Sequence, residues 1–341
     1  MDLNPSEEQQ QLIDAFAAFY AKECPVERVR AAESSGHDAD LWASLRTMGA
    51  LEMAIGEQSG GWGASLLDMA LVAEQHGRYL APAPLIEAQV AARLLARTGG
   101  HAAAEALGRA LGGDHLVTIA LHPPRGGVLA LVPGGSVADE VIFFDQGQLK
   151  CVAIVDRARP VPNTGSMPLA DIAVDSASVV ESGEPAEQLF ESARDEWLVL
   201  MANALVGVGS RSIELGVDYA KERHAFGVPI GSFQAVAHGL ADAATAVEGG
   251  KLIAREAAWA AGDEAARATE LACFSCGFCA EAAREASYRS LHYHGGYGFM
   301  LEFDIQLYFR RARAWPAVFG EPSHMYARGA VERLSAAGTG L

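Results

Sequence analysis

From Pro185 to Leu334 the chain is a run of Ala-rich helical segments broken by two glycine-bearing turns. The segments span Pro185 to about Lys221, Ser232 to about Trp259, about Glu264 to His292, a shorter piece starting near Glu302, and about Ser323 to Leu334. Long apolar helices joined by short turns pack antiparallel, so this half predicts a helix bundle. The first turn is Glu222-Arg223-His224-Ala225-Phe226-Gly227-Val228-Pro229-Ile230-Gly231-Ser232-Phe233-Gln234. The second, about sixty residues on, is His292-Tyr293-His294-Gly295-Gly296-Tyr297-Gly298-Phe299.

Each turn has a bland reading and a chemical one. Arg223 ends a helix, where it could pair with a local carboxylate such as Glu222 or grip a phosphate through its planar fork. Phe226 and Phe233 bracket a glycine-proline turn. Gln234 opens the next helix, where unpaired N–H groups favour an anion. Together these suit an adenine dinucleotide, but an ordinary helix connection uses the same residue types. Gly295, Gly296 and Gly298 form a helix C-cap, or else let a ligand approach bare backbone.

The rest of the chain divides by period. Residues 1 to about 112 predict helices. Asn4 caps the first, with Pro5 at its first position and Leu12, Ile13, Phe16, Phe19 and Tyr20 on one face. Further helices are expected over Ala39–Met48, Ser65 to about Tyr79, 85–97 and 101–111, with a glycine-rich loop at Gly56–Gly63. From Asp114 the pattern turns to strands: His115–His122, Gly127–Val132, a hairpin of Val141–Phe144 with Leu149–Val155, and Asp171–Val180. The order is helices, a small sheet, then a bundle, a mainly α, three-domain α–β–α fold.

A net charge of −17 argues against nucleic acid and anionic membranes as partners. No 18-residue uncharged apolar run predicts a membrane span. Met1–Glu8 does not read as a signal peptide, and the expected location is the cytoplasm. Cys273, Cys276 and Cys279 have C-x-x-C-x-x-C spacing, but Ala283 stands where a cluster's fourth cysteine would be, so they read as small packing residues in a helix and no metal is expected.

The two turns, in this order and spacing, resemble the C-terminal domain of the flavin-dependent acyl-CoA dehydrogenases. Gly56-Glu57-x-x-Gly60-Gly61-x-Gly63 resembles an N-terminal segment of the same family, with Gly56 for the usual proline. The resemblance implies an N-terminal helical domain (1–112), a shortened β domain (113–183) and a C-terminal bundle (184–341). It implies FAD as cofactor, shared across a subunit interface, with Arg223 at the pyrophosphate, Phe226 at the adenine and Gln234 on the adenosine side. Gly295 and Gly296 would add backbone contacts, and His292 stands where the family usually has glutamine. The implied reaction is α,β-dehydrogenation of an acyl-CoA: a carboxylate takes the α-proton, the flavin takes a hydride, and an electron-transfer acceptor reoxidises it.

The chain departs from the family pattern at the chemistry. The two positions where the family places its base correspond to Phe319 and Trp197. Glu321 and Glu196 lie nearby, but a one-residue shift on a helix rotates a side chain by roughly 100°. The segments that would hold the flavin ring are changed: one reads Ala120-Leu121-His122-Pro123-Pro124-Arg125-Gly126-Gly127, and the other is not recognisable in Gln148–Val155. Loss of the ring site beside an intact adenosine-side motif resembles the shortened subunits of actinobacterial steroid side-chain dehydrogenases, which work with a full-length partner. Two other expectations stand beside it: a self-sufficient homo-oligomer whose base has moved to Glu321 or Glu196, and a flavin-free scaffold.

Overall fold

The computed structural model describes residues 3–113 and 115–336. These carry eleven α-helices and eight short strands, so the expected mainly α, α–β–α fold is what forms. Two compact units emerge. One comprises the described residues of Met1–Glu27, Ala70–Ala81 and Leu198–Leu341, and the other Arg28–Met69 and Pro82–Trp197. The three-segment division at 112 and 183 stands as a proposal.

In the first unit, helix α1 (Glu7–Glu23) is capped by Ser6, not by Asn4 as expected. Ser6 Oγ accepts from the Gln9 N–H at 3.2 Å, and Gln9 Oε1 accepts from the Ser6 N–H at 3.0 Å. This reciprocal box satisfies two helix-start donors at once. The buried face of α1 presents Tyr20, whose hydroxyl lies 3.0 Å from His76 Nδ1 on α4 (Leu66–Arg78).

Helix α4 also crosses α7 (Glu184–Glu222) at bare backbone. A Cβ on Gly77 would collide with the Ala204 carbonyl, and one on Gly207 with the Glu74 carbonyl. Two glycines facing each other's helix explain why this crossing excludes larger residues. By length and composition α7 passes as a membrane-crossing helix, but 72% of its most apolar window is buried inside the protein. Its apolar residues serve a core.

Helices α8 (Gln234–Asp263), α9 (Ala268–His294), α10 (Ile305–Ala317) and α11 (Pro322–Ala336) complete the bundle, with α9 packed against the other three. Cys273, Cys276 and Cys279 are buried on α9. The Cys279 thiol donates to the Gly250 carbonyl on α8 at 3.3 Å. Burial pushes the Cys276 and Cys279 thiols far above their ordinary range, so they pack as small neutral groups.

The second unit holds α2 (Val26–Ala31) from Arg28 onward, α3 (Ala39–Thr47), α5 (Leu85–Arg97), α6 (His101–Gly112) and six strands. Strands β1 (Val117–Ile119), β3 (Glu140–Asp145), β4 (Gln148–Ala153) and β6 (Ser178–Ser182) form one sheet in the order β1-β3-β4-β6. Strand β2 (Val128–Val132) pairs with β5 (Ala170–Ala173). The β3–β4 hairpin turns through Gln146 and Gly147 at φ 51° and 75°, the paired positive values that a two-residue hairpin needs. Leu129, Val132, Val141, Phe143, Val152 and Ile172 fill the core between the pairings.

Asp171–Val180, expected as one strand, is two. The Ala177 N–H bonds the Val174 carbonyl across Asp175-Ser176, turning the chain from the β2 partner to the β4 partner. An Asp-Ser pair makes that turn, and the apolar residues on either side mask it in sequence.

Candidate functional site

The predicted contact residues all lie in the first unit, at the ends of α7, α8 and α9. Helix α7 stops at Glu222, yet the Arg223 N–H still bonds the Tyr219 carbonyl at 2.8 Å. The chain then makes a minimal hairpin: β7 (His224–Ala225) pairs with β8 (Val228–Pro229). Its two turn residues are Phe226 and Gly227, at φ 54° and 84°. The Ile230 N–H closes the loop on the Arg223 carbonyl at 2.7 Å.

Phe226 is unusual on two counts. A bulky side chain in the left-handed region is strained, and this turn position ordinarily takes asparagine, aspartate or glycine. It is also 97% exposed. Its ring meets Phe233 edge-on, with centroids 6.3 Å apart and planes at 90°. Phe233 then precedes Gln234, the exposed first residue of α8, and no side chain caps that helix start.

Arg223 makes no ion pair among the described residues, so the local pairing with Glu222 does not form. Its guanidinium instead lies 5.9 Å from the centroid of the Tyr297 ring. That contact joins the two turns, because Tyr297 directly follows Gly295 and Gly296. His292 is exposed on the last turn of α9, with its ring 5.8 Å from Tyr288.

The glycines fit a group approaching from outside. Gly295 has φ 61° and requires glycine for its conformation. Gly296 has no such requirement, and an added Cβ there meets nothing within 4 Å. Nothing in the chain itself demands glycine at 296, whereas close approach of a ligand to the backbone would. An exposed aromatic pair, an arginine without a carboxylate and two bare glycines fit the adenosine and diphosphate portion of FAD. Behind the loop, an apolar cavity of about 530 Å³ runs between Ile213 and Val217 of α7 and Ala237, Leu240 and Ala244 of α8.

The candidate bases lie elsewhere. Phe319 is buried at 7% exposure, and Trp197 is fully buried. Glu196 is held by two arginines, Arg93 Nε at 3.1 Å and Arg97 Nη1 at 2.8 Å. Glu321 is exposed just ahead of α11, and its carbonyl accepts from the His324 N–H at 2.9 Å. The loop from Pro123 to Gly127 folds into a tight turn closed by Arg125 and Val128, with Gly126 and Gly127 at φ 58° and 78°.

Tyr219 and Tyr297 join this site without having been expected from the sequence. Tyr219 stands one helical turn before Arg223, a spacing that marks a shared face. Tyr297 gave no signal, since between glycines it reads as filler.

The acyl-CoA dehydrogenase N-terminal domain matches residues 6–111, and the acyl-CoA dehydrogenase C-terminal domain matches residues 198–325. The chain is 31% identical over 326 residues to acyl-CoA dehydrogenase IpdE2 of Mycolicibacterium smegmatis, covering 95% of this chain and 98% of that one. It is 31% identical to IpdE2 of Mycobacterium tuberculosis over 96% of this chain and 97% of the relative. Among solved structures, the steroid ACAD Tcur3481-Tcur3483 superposes with a TM-score of 0.88 at 25% identity, covering 97% of this chain and 99% of that one. The ChsE4-ChsE5 complex from Mycobacterium tuberculosis superposes with a TM-score of 0.85 at 26% identity, covering 98% and 99%. With the motifs, the fold and full-length relatives in agreement, this chain belongs to the acyl-CoA dehydrogenase family.

Proposed function

We propose that this chain is one subunit of a hetero-oligomeric acyl-CoA dehydrogenase and supplies the adenosine and diphosphate half of an FAD site to a full-length partner. The observation that carries the proposal is Phe226: a 97% exposed aromatic ring on a strained left-handed turn, touched within its own fold by an edge of Phe233. Two of the structural relatives bear names of steroid or paired complexes, which supports a bulky acyl-CoA substrate and a heteromeric assembly.

FAD, when bound, accepts the hydride from the acyl-CoA. This chain's own residues then act on the far end of the cofactor. Arg223 offsets the charge of the diphosphate, and the open N–H groups at the start of α8, beside Gln234, add to it. Phe226 and Phe233 offer ring faces and edges to the adenine. Gly295 and Gly296 present bare backbone, and His292 adds a polar ring beside them.

Proton removal falls to the partner. Both positions that the resemblance assigns to the base hold buried aromatics here, Glu196 is committed to two arginines, and Glu321 lies exposed ahead of α11. An electron-transfer acceptor completes the reaction, and the proposed location is the cytoplasm.

The test is FAD content by visible absorbance, for the chain purified alone and after co-expression with a full-length dehydrogenase encoded beside it. No flavin alone and about one per heterodimer together supports the shared site. One flavin per lone chain, with turnover of an acyl-CoA, overturns it in favour of a self-sufficient enzyme. No flavin in either case leaves a scaffold.

A further inference from the structure

The ends of α7 and α9 are joined by an aromatic stack that continues into Arg223. The Tyr219 ring lies flat on His294, with centroids 4.0 Å apart and planes at 20°. Its hydroxyl donates to the His294 carbonyl at 3.4 Å. His294 is fixed in turn, because Nδ1–H donates to the Ser290 carbonyl at 2.7 Å. Phe303 packs against three rings at once: Tyr219 at 6.4 Å, His294 at 5.9 Å and Tyr297 at 5.4 Å. The outermost member is Tyr297, and on it rests Arg223 at 5.9 Å.

The spacing explains why these pairs align. Tyr219 and Arg223 are four residues apart on one face of α7 and its extension, and they meet His294 and Tyr297, three apart at the end of α9. The lower pair anchors the crossing and the upper pair carries the cation. A free arginine side chain samples many rotamers, and ordering it on binding costs affinity. An arginine already resting on a ring held by Phe303 has lost part of that freedom beforehand. In a chain of 43 acidic and 26 basic residues, a salt bridge would be the common way to order it. A carboxylate, however, would neutralise the charge that an anion needs, whereas a ring orders the guanidinium and leaves its N–H groups available.

We propose that Tyr297 is a positioning residue: its ring holds the Arg223 guanidinium beside the Gly295-Gly296 turn, ready for a diphosphate. The inference rests on the reading of Arg223 as a cofactor contact.

The experiment titrates FAD, followed by flavin fluorescence, into the flavin-depleted assembly that the absorbance measurement identifies, whether the chain alone or with its partner. Tyr297→Leu is expected to weaken FAD about three- to fivefold, the size of a cation–π contact at an exposed site. Tyr297→Phe and Tyr297→Trp should hold wild-type affinity, so that the order follows the ring and not the volume. In an Arg223→Ala background, Tyr297→Leu should add nothing. Equal affinity for Tyr297→Leu and wild type, with Arg223→Ala weakened, overturns the inference and spares the cofactor reading. So does a Tyr297→Leu loss that persists in full without Arg223, since it would reflect structure alone. Wild-type affinity in Arg223→Ala removes the cofactor reading itself. Should Tyr297→Leu unfold, Tyr297→Phe and Tyr297→Trp decide, and weakened binding in both refutes the ring's role.

Discussion

The indole N–H of Trp197 donates to a carboxylate oxygen of Glu87 at 3.1 Å, and both side chains are buried. A position that the family resemblance assigns to a base thus holds an aromatic ring tied to a buried carboxyl. Burial raises the Glu87 pKa above its ordinary 4.5, against the lowering by a backbone hydrogen bond and by Trp197. Between the unfolded and folded pKa values the folded state binds more protons, so stability falls as pH rises through that window. Glu87→Gln keeps an acceptor for Trp197 and has no proton to lose. It should match or exceed wild-type stability at pH 7 and flatten the loss between mildly acidic and neutral pH. Urea unfolding at several pH values checks this, and a variant with the wild-type slope would place the titrating group elsewhere.

Glu196 illustrates how a candidate base becomes a strut. With Arg93 and Arg97 both on it, Glu196→Gln should cost about 1–2 kcal/mol, the value for a buried pair reduced for the partly exposed Arg97. Turnover of the loaded assembly should stay near wild type. Retained flavin with abolished turnover would make Glu196 the base after all.

Phe226→Ala separates binding from folding. With a 97% exposed side chain, its removal should change stability by less than about 0.5 kcal/mol. Alanine keeps the Cβ that strains this left-handed turn, so the backbone strain persists and only the edge contact with Phe233 is lost. FAD affinity in the assembly should fall roughly 5- to 100-fold, the range for a lost aromatic stack on a base. Thermal unfolding and FAD titration on the same sample read the two effects independently.

The Glu140 carboxylate gathers an arginine, a histidine and a thiol in the second unit. Arg109 holds it through two bonds of 2.7 and 3.0 Å, and His115 Nε2 and Cys151 Sγ lie at 3.1 and 3.2 Å. Burial alone would raise its pKa, but Arg109, Cys151 and His115 outweigh this and lower it below 4.5. A depressed carboxylate stabilises the fold above its unfolded pKa, and that stability is lost as pH falls through the folded pKa. Glu140→Gln should cost about 1–3 kcal/mol at pH 7 and show a shallower decline below pH 4.5. Circular dichroism during acid titration of both proteins distinguishes the outcomes.

The longer helices, the β3–β4 hairpin and both glycine turns are legible because each is set by neighbours in sequence, whereas the six-residue α2 is too short to show a period. Apolar period, a Gln-Gly turn and a helix start at Gln234 need no distant partner. The structure departs from expectation where two local signals compete. Asn4 and Ser6 both suit a cap, and only the reciprocal bond with Gln9 chose between them. Asp175-Ser176 hid between apolar runs, and the separate pairing of β5 and β6 exposed it as a turn.

By itself, the sequence determined the family, the order of the elements and the residue types at the candidate half-site. What only the tertiary structure decided was which of those residues act together. Arg223 and Tyr297 are distant in sequence and meet because α7 and α9 end side by side in one bundle. Glu196 is a strut because α5 brings Arg93 and Arg97 to it. Residue type and spacing specify backbone conformation locally, whereas a side chain's partner is chosen by packing between elements, which no local pattern encodes.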